Sequence, residues 1–260
     1  MIRRFNRYEL KYIITSSDRD RLLPTIEAYM QPDREGGPAG TYRVTSLYYD
    51  SADFACYRSK LDGINYRRKL RIRRYGALET APGVDPLAMV EIKQRINRTT
   101  QKRRLATSLS KAYELCEGIS IPEDLRANPL DRAVAEEVLF LAGALQLRPT
   151  VVIAYRRQAF AGSAFEPGLR ITFDSALTAS DPSRGLAPLR DSLPLTREDG
   201  VILEVKANDV VPLWVSRLLA ANRCTVRRFS KYCAGVARLY QRSGAHGALM
   251  RLRMPELLGS

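Results

Sequence analysis

The chain is poor in the groups that most enzymes rely on. It has one histidine, His246, in 260 residues, so Ser-His-Asp and Cys-His catalysis lack a base. Its cysteines, Cys56, Cys116, Cys224 and Cys233, form no CxxC pair. Zinc binding is therefore disfavoured, and reduced, mostly buried thiols are expected. No run of about 18 apolar residues occurs, so no transmembrane helix is expected. Charges at Arg3, Arg4, Arg7, Glu9 and Lys11 break up the N-terminus. No signal peptide is expected, and the chain reads as cytoplasmic. There is no GxxxxGK[ST] loop, so a nucleoside triphosphate would have to be held without a Walker cradle. The chemistry falls to Lys, Arg, Glu and Asp.

Positive charge is what the chain has in plenty. Lys and Arg number 42 against 28 Asp and Glu, a net +14. That balance points to an anionic partner: nucleic acid, an anionic membrane or a phosphorylated small molecule. Hydrophobic residues make up 45%, which is globular rather than disordered. No linker or low-complexity tract interrupts the chain. Residues 1–245 read as one domain and 246–260 as a tail.

Polar and apolar residues alternate over 5–14, 42–50, 66–75, 87–95, 99–106, 151–160, 168–174 and 200–206. This period predicts strands. Helices are predicted over 17–30 (interrupted or kinked at Pro24), 108–117, 131–146 from an Asp131 cap, 212–222 from Pro212, and 230–242 from a Ser230 cap. Residues 175–199 read as a long loop. About eight strands with little βαβ rhythm predict an α+β chain built on an antiparallel sheet or barrel.

Side chains two apart share a strand face. Glu9 and Lys11 fall on one face, as do Lys69, Arg71 and Arg73, then Glu91 and Lys93, Arg170, Thr172 and Asp174, and Glu204 and Lys206. Apolar residues take the opposite faces. Such faces can point to solvent or into a polar interior. Three features favour the interior. The charged faces are dense in Arg and Lys, the helices supply enough apolar surface to cover a barrel's outside, and a cation-lined interior calls for a polyanion. Arg donates paired hydrogen bonds to phosphate, and Lys adds a mobile point charge. Losing Arg71 or Arg73 should then weaken anion affinity and spare the fold. The glutamates either pair with neighbouring cations or hold Mg²⁺ or Mn²⁺. In Arg227-Arg228-Phe229-Ser230-Lys231-Tyr232 the basic residues flank the start of the last helix. Most aromatics are expected on the faces away from the cations, so single-stranded nucleic acid is not an expected partner.

Taken in order, RYELKY (7–12), YYDS (48–51) with Tyr57 beyond it, KLRIRRYG (69–76), VEIKQR (90–95), QKRR (101–104), YRRQAF (155–160), LRITFD (169–174), ILEVK (202–206) and RFSKYCAG (228–235) resemble a known family. It is the polyphosphate polymerase domain of the vacuolar transporter chaperone (VTC) family, within the triphosphate tunnel, CYTH-like metalloenzymes. The resemblance implies an eight-stranded antiparallel closed β-barrel, with helices packed outside and a phosphate chain inside. It implies phosphate ligands at Lys11, Arg71, Arg73, Lys93, Lys102, Arg157, Arg170, Lys206, Arg228 and Lys231. Of these, Lys11, Arg71, Arg73, Lys206 and Lys231 are the expected catalytic groups. Metal-binding carboxylates are expected at Glu204, Glu9 and Glu91, with Mn²⁺ or Mg²⁺ as cofactor. The implied activity moves the γ-phosphate of ATP onto a polyphosphate chain. Hydrolysis of tripolyphosphate or nucleoside triphosphates, and polyphosphate binding without turnover, remain alternatives.

Overall fold

A computed structural model of the chain describes residues 7–78, 81, 83–97, 99–186 and 191–242. Arg3, Arg4, His246 and the predicted tail 246–260 lie outside the described residues.

The strands are β1 (Arg7–Thr15), β2 (Met30–Pro32), β3 (Thr41–Asp50), β4 (Tyr66–Tyr75), β5 (Leu87–Ile96), β6 (Thr99–Ser108), β7 (Arg148–Gly162), β8 (Arg170–Ser180), β9 (Leu193–Pro194) and β10 (Gly200–Asn208). They form one sheet in the order β1-β10-β8-β7-β3-β4-β5-β6, with β2 added to β7 and β9 to β8. All pairings are antiparallel.

The sheet is curled. β10, β8, β7, β3 and β4 lie between β1 and β5 on the path, yet Lys93 Nζ of β5 is 3.4 Å from Glu9 Oε2 of β1. Strands spaced about 4.8 Å apart reach that contact only by bending into a near-ring. The expected closed barrel is corrected here: among the described residues no ladder joins β1 to β6. The outer edge of β1 is taken by the segment before the last helix. Val226 bridges Tyr12, and Arg227 N donates to Lys11 O at 2.7 Å. β6 carries Lys102, Arg103 and Arg104, charges that protect an exposed edge.

The helices are α1 (Ser16–Tyr29), α2 (Ala55–Leu61), α3 (Leu109–Cys116), α4 (Glu123–Arg126), α5 (Pro129–Ala144), α6 (Leu213–Ala221) and α7 (Lys231–Arg242). Thr15 and Asp18 form a capping box that starts α1. Pro24 does not end this helix, because Leu22 and Ile26 are buried on either side of it. α5 starts at Pro129 rather than at Asp131, capped by Asn128 Oδ1, which accepts from Leu130 N at 2.8 Å. The predicted loop 175–199 is partly strand. β8 runs on to Ser180 past a bulge at Ala176, whose φ of 50° breaks the alternation that parity relies on.

On the convex side, α3, α4 and α5 cover Leu47, Leu70, Ile72, Val90, Ile92 and Leu105. α1 and α6 cover Tyr12, Phe173, Leu203 and Val205. The expectation that helices pack outside holds for these. It fails for α2 and α7, which lie on the concave side against Val44, Val151, Ile153 and Ile202. Gly235 faces Ile153 and Val151 where α7 packs on the sheet, and a Cβ there would push the end of the Ile153 side chain aside. Part of the concave face is therefore apolar and covered, and the rest is charged.

Candidate functional site

The register brings the charged parities together. Across β1 and β10, Glu9 opposes Lys206 and Lys11 opposes Glu204. Arg170 opposes Lys206, and Arg157 opposes Asp174. On the other wall Arg71 opposes Glu91, and Lys69, Lys93 and Lys102 stand directly opposite one another across β4, β5 and β6. Like charges in direct opposition destabilise a sheet.

The floor is a buried ion network under the first turn of α7. Lys231 Nζ is 2.6 Å from Asp174 Oδ2 and 2.7 Å from Glu204 Oε1. Arg157 grips Asp174 with Nε–Oδ1 and Nη2–Oδ2 hydrogen bonds, both 2.7 Å. Glu204 also meets Lys206 at 3.1 Å, Lys11 at 3.3 Å and Arg157 at 3.9 Å. Burial alone would raise the Glu204 pKa. Lys231, Lys11, Lys206 and Arg157 overcome it and hold the group well below the usual carboxylate range.

Above the floor the cations are more open. Glu91 is fully buried and pairs with Arg71 Nη2 at 2.6 Å, with Arg73 at 3.8 Å, and with Lys102. Arg73 also donates to Ser46 Oγ at 3.0 Å. Lys93 is 44% exposed along its side chain and Lys102 41%. Lys69 reaches Ser230 Oγ at 3.4 Å and sits over the Tyr232 ring. Arg170 pairs with Asp33 and donates to Tyr42 Oη at 3.1 Å. Burial, joined by Lys11, Arg71 and Lys206 against the pull of Glu9, lowers Lys93 to about 8. Burial also lowers Lys206 and Lys102. An arriving anion would reverse these shifts.

Nine of the predicted phosphate ligands thus share the concave face: Lys11, Arg71, Arg73, Lys93, Lys102, Arg157, Arg170, Lys206 and Lys231. Parity separates Arg157, which is buried, from its exposed neighbour Arg156. Arg228 stands apart. It is exposed in the loop before α7 and has no ion pair among the described residues.

The predicted metal carboxylates do not converge. Among the described residues no group of three or more His, Cys, Asp or Glu is placed to share an ion. Glu9 and Glu204 flank Lys11 Nζ, at 3.1 and 3.3 Å, whereas Glu91 is enclosed by Arg71, Arg73 and Lys102. The first two fit a hard divalent ion that takes most of its ligands from water and phosphate oxygens.

Two features escaped the sequence reading. Asp50 is fully buried and, among the described residues, makes no ion pair; it accepts from Ser51 N and Cys56 N at 2.8 Å, Tyr57 N at 3.0 Å and the Tyr232 hydroxyl. It ties α2 and α7 to the end of β3; the YYDS segment was the only signal for it. The aromatics are also not confined to the far face. Tyr42, Tyr48, Tyr75 and Tyr155 belong to the cationic parity, so the ground given for setting nucleic acid aside does not hold.

A curled antiparallel sheet that gathers cations from most of its strands defines a barrel-like domain with a cation-lined concave face. The chain belongs to the VTC domain family, whose profile matches residues 6–240. It is 24% identical over 275 aligned residues to vacuolar transporter chaperone complex subunit 4 of Trypanosoma brucei brucei. That alignment covers 91% of this chain and 35% of the relative, so the chain spans about a third of that protein. Among solved structures, a Bacillus halodurans protein provisionally assigned as an adenylate cyclase matches with a TM-score of 0.49 and 12% identity, covering 86% of this chain and 95% of its own. A Pyrococcus horikoshii protein matches with a TM-score of 0.43 and 14% identity, covering 91% and 99%. At that distance they carry no argument about function. Among the described residues no helix is long and apolar enough to cross a membrane.

Proposed function

We propose that this chain is a phosphotransferase that binds phosphate chains along its concave cationic face and moves the γ-phosphate of ATP onto polyphosphate. The observation that carries this reading is the lysine row Lys69, Lys93 and Lys102. Three opposed ammonium groups, with Glu91 beside Lys102, Glu9 beside Lys93 and no carboxylate paired with Lys69 among the described residues, are a poor design for a resting sheet. They are a good design for a ligand with a negative charge every few ångströms. Arg71, Lys206 and Lys11 extend the row towards the Glu204 floor, and all three keep partial exposure.

Phosphoryl transfer asks a protein mainly for positioning and charge stabilisation. Here Arg71 and Arg73 would orient phosphate oxygens, and Lys11 and Lys206 would neutralise charge that builds on the transferring group. Drawn to phosphate, Lys11 and Lys206 would release Glu204, which with Glu9 would hold Mn²⁺ or Mg²⁺. Bound there, the ion would supply charge neutralisation.

The test is to incubate purified protein with ATP and Mn²⁺ or Mg²⁺ and to follow polymer by gel, ADP and orthophosphate. Chain growth with ADP release is expected. Orthophosphate alone would make the protein a hydrolase. A folded protein that yields neither product, and binds no tripolyphosphate, would overturn the reading.

A further inference from the structure

The tyrosines of the charged face differ in one respect that the anion reading does not use. Tyr48, Tyr155 and Tyr232 are buried, at 6%, 4% and 2% exposure. Their rings are spent on the core and on the cations above them: Arg71 lies over Tyr48, Arg157 and Lys231 over Tyr155, and Lys69 over Tyr232. Tyr75 is different. It ends β4, is 36% exposed, and meets the half-buried Tyr42 edge-on with ring centres 5.9 Å apart. Tyr42 is fixed from behind, since its hydroxyl accepts from Arg170 at 3.1 Å and its ring packs so closely on Gly36 that a Cβ there would stand 2.9 Å from it.

This aromatic corner sits where the cation lane begins. On β4 the same face runs Tyr75, Arg73, Arg71, Lys69, each about 7 Å from the next at the rise of an antiparallel strand. The Arg73 guanidinium lies 5.9 Å from the centre of the Tyr75 ring. Arg157 stands opposite Tyr42 across β3 and β7. At the other end of the lane Lys69 is roofed by Tyr232 of α7, and the exposed Tyr66 at that end of β4 falls on the opposite strand parity, away from the lane. A ligand with a flat π-system at one end and a chain of phosphates at the other therefore fits in one direction only.

We propose that Tyr75, braced by Tyr42, is the platform for the nucleobase of the donor nucleoside triphosphate. The base stacks on the exposed Tyr75 ring and the phosphates run past Arg73 towards Arg71 and Lys93. The inference rests on the phosphotransferase reading and adds to it the group that tells a nucleotide from a bare phosphate chain. An inorganic chain meets the cations alone and makes no use of the ring.

The experiment compares ATP with inorganic tripolyphosphate, which lacks a base, by calorimetry on the wild type, Tyr75→Ala and Tyr75→Phe, with circular dichroism to confirm the fold. Base–aromatic stacking at a partly exposed ring predicts that Tyr75→Ala weakens ATP binding about 5- to 20-fold. Tripolyphosphate affinity should stay unchanged, and Tyr75→Phe should bind ATP like the wild type. Equal losses for both ligands, or no loss for either, would overturn the platform and leave the anion site standing. A wild-type protein that binds neither ligand would overturn the functional reading and the platform with it.

Discussion

Lys231 Nζ lies 2.7 Å from Glu204 Oε1, and that contact fastens the first turn of α7 to the middle of β10. Both side chains are almost fully buried, 9% and 6% exposed. Lys231 thus belongs to the frame of the site as much as to its ligand set. Breaking an isolated buried pair typically costs about 3–5 kcal/mol, and the loss of Lys231 should fall at the low end, because Lys206, Lys11 and Arg157 stay beside Glu204 and Arg157 stays on Asp174. Lys231→Met should lower the urea midpoint by an amount equivalent to about 3 kcal/mol. An unchanged midpoint would mean that the lysine serves only the ligand.

Arg71 answers to the same logic, which revises the expectation that its loss would spare the fold. Its guanidinium holds the buried Glu91 carboxylate, with Nε donating at 2.8 Å. Arg71→Ala should therefore cost stability as well as phosphate-chain affinity, by less than the roughly 3 kcal/mol of a fully unpaired buried charge, because Lys102 and Arg73 remain beside Glu91. Adding Glu91→Gln should restore most of the stability and none of the affinity. If the double variant is no more stable than the single one, the pair is not the source of the loss.

The pH dependence of binding should report on Lys93. In the free protein this group titrates near 8. A bound phosphate chain stabilises the ammonium form and raises that pKa. Affinity is then fully present below pH 8 and falls as pH rises through it, with a proton taken up on binding. Calorimetry in buffers of different ionisation enthalpy would show the uptake at pH 8.5, and Lys93→Arg should abolish it. Uptake that persists in the variant assigns the proton to another group.

Acid stability should report on Glu9. Burial works to raise its pKa, but Lys11, Lys93 and Lys206 bring it to about 2 from an ordinary 4.5. A depressed carboxylate stabilises the fold above the unfolded pKa and loses that contribution as pH falls towards the folded one. The melting temperature should therefore drop between about pH 4.5 and 2, and less steeply in Glu9→Gln. Parallel profiles for the two proteins would exclude Glu9 from the transition.

Strand parity carried much of this site. Arg71 and Arg73, Glu91 and Lys93, and Glu204 and Lys206 were placed on shared faces by a period of two, and the register sets those faces against one another. What parity lacks is distance along the chain. That Lys231 would meet Asp174, or that Asp50 would cap α2, depends on how α7 folds back over the sheet, and no local pattern encodes that return. The bulge at Ala176 hid the second half of β8 because one residue in the left-handed region resets the alternation. Closure failed for a related reason. The segment 226–227 holds the edge of β1, and nothing in its sequence marks it as a competitor for that edge.

The curled sheet stays unpaired between its first and last strands, and across its concave face the Glu9–Lys93 contact ties β1 to β5 at 3.4 Å. A hoop riveted by main-chain bonds has a fixed girth; this one is latched by a pair of ions. The latch is made of a group that the cargo itself attracts, so each phosphate chain that enters loosens the wall it passes. Girth then becomes a property of the load, and hydrogen exchange along β6 should quicken when tripolyphosphate is added.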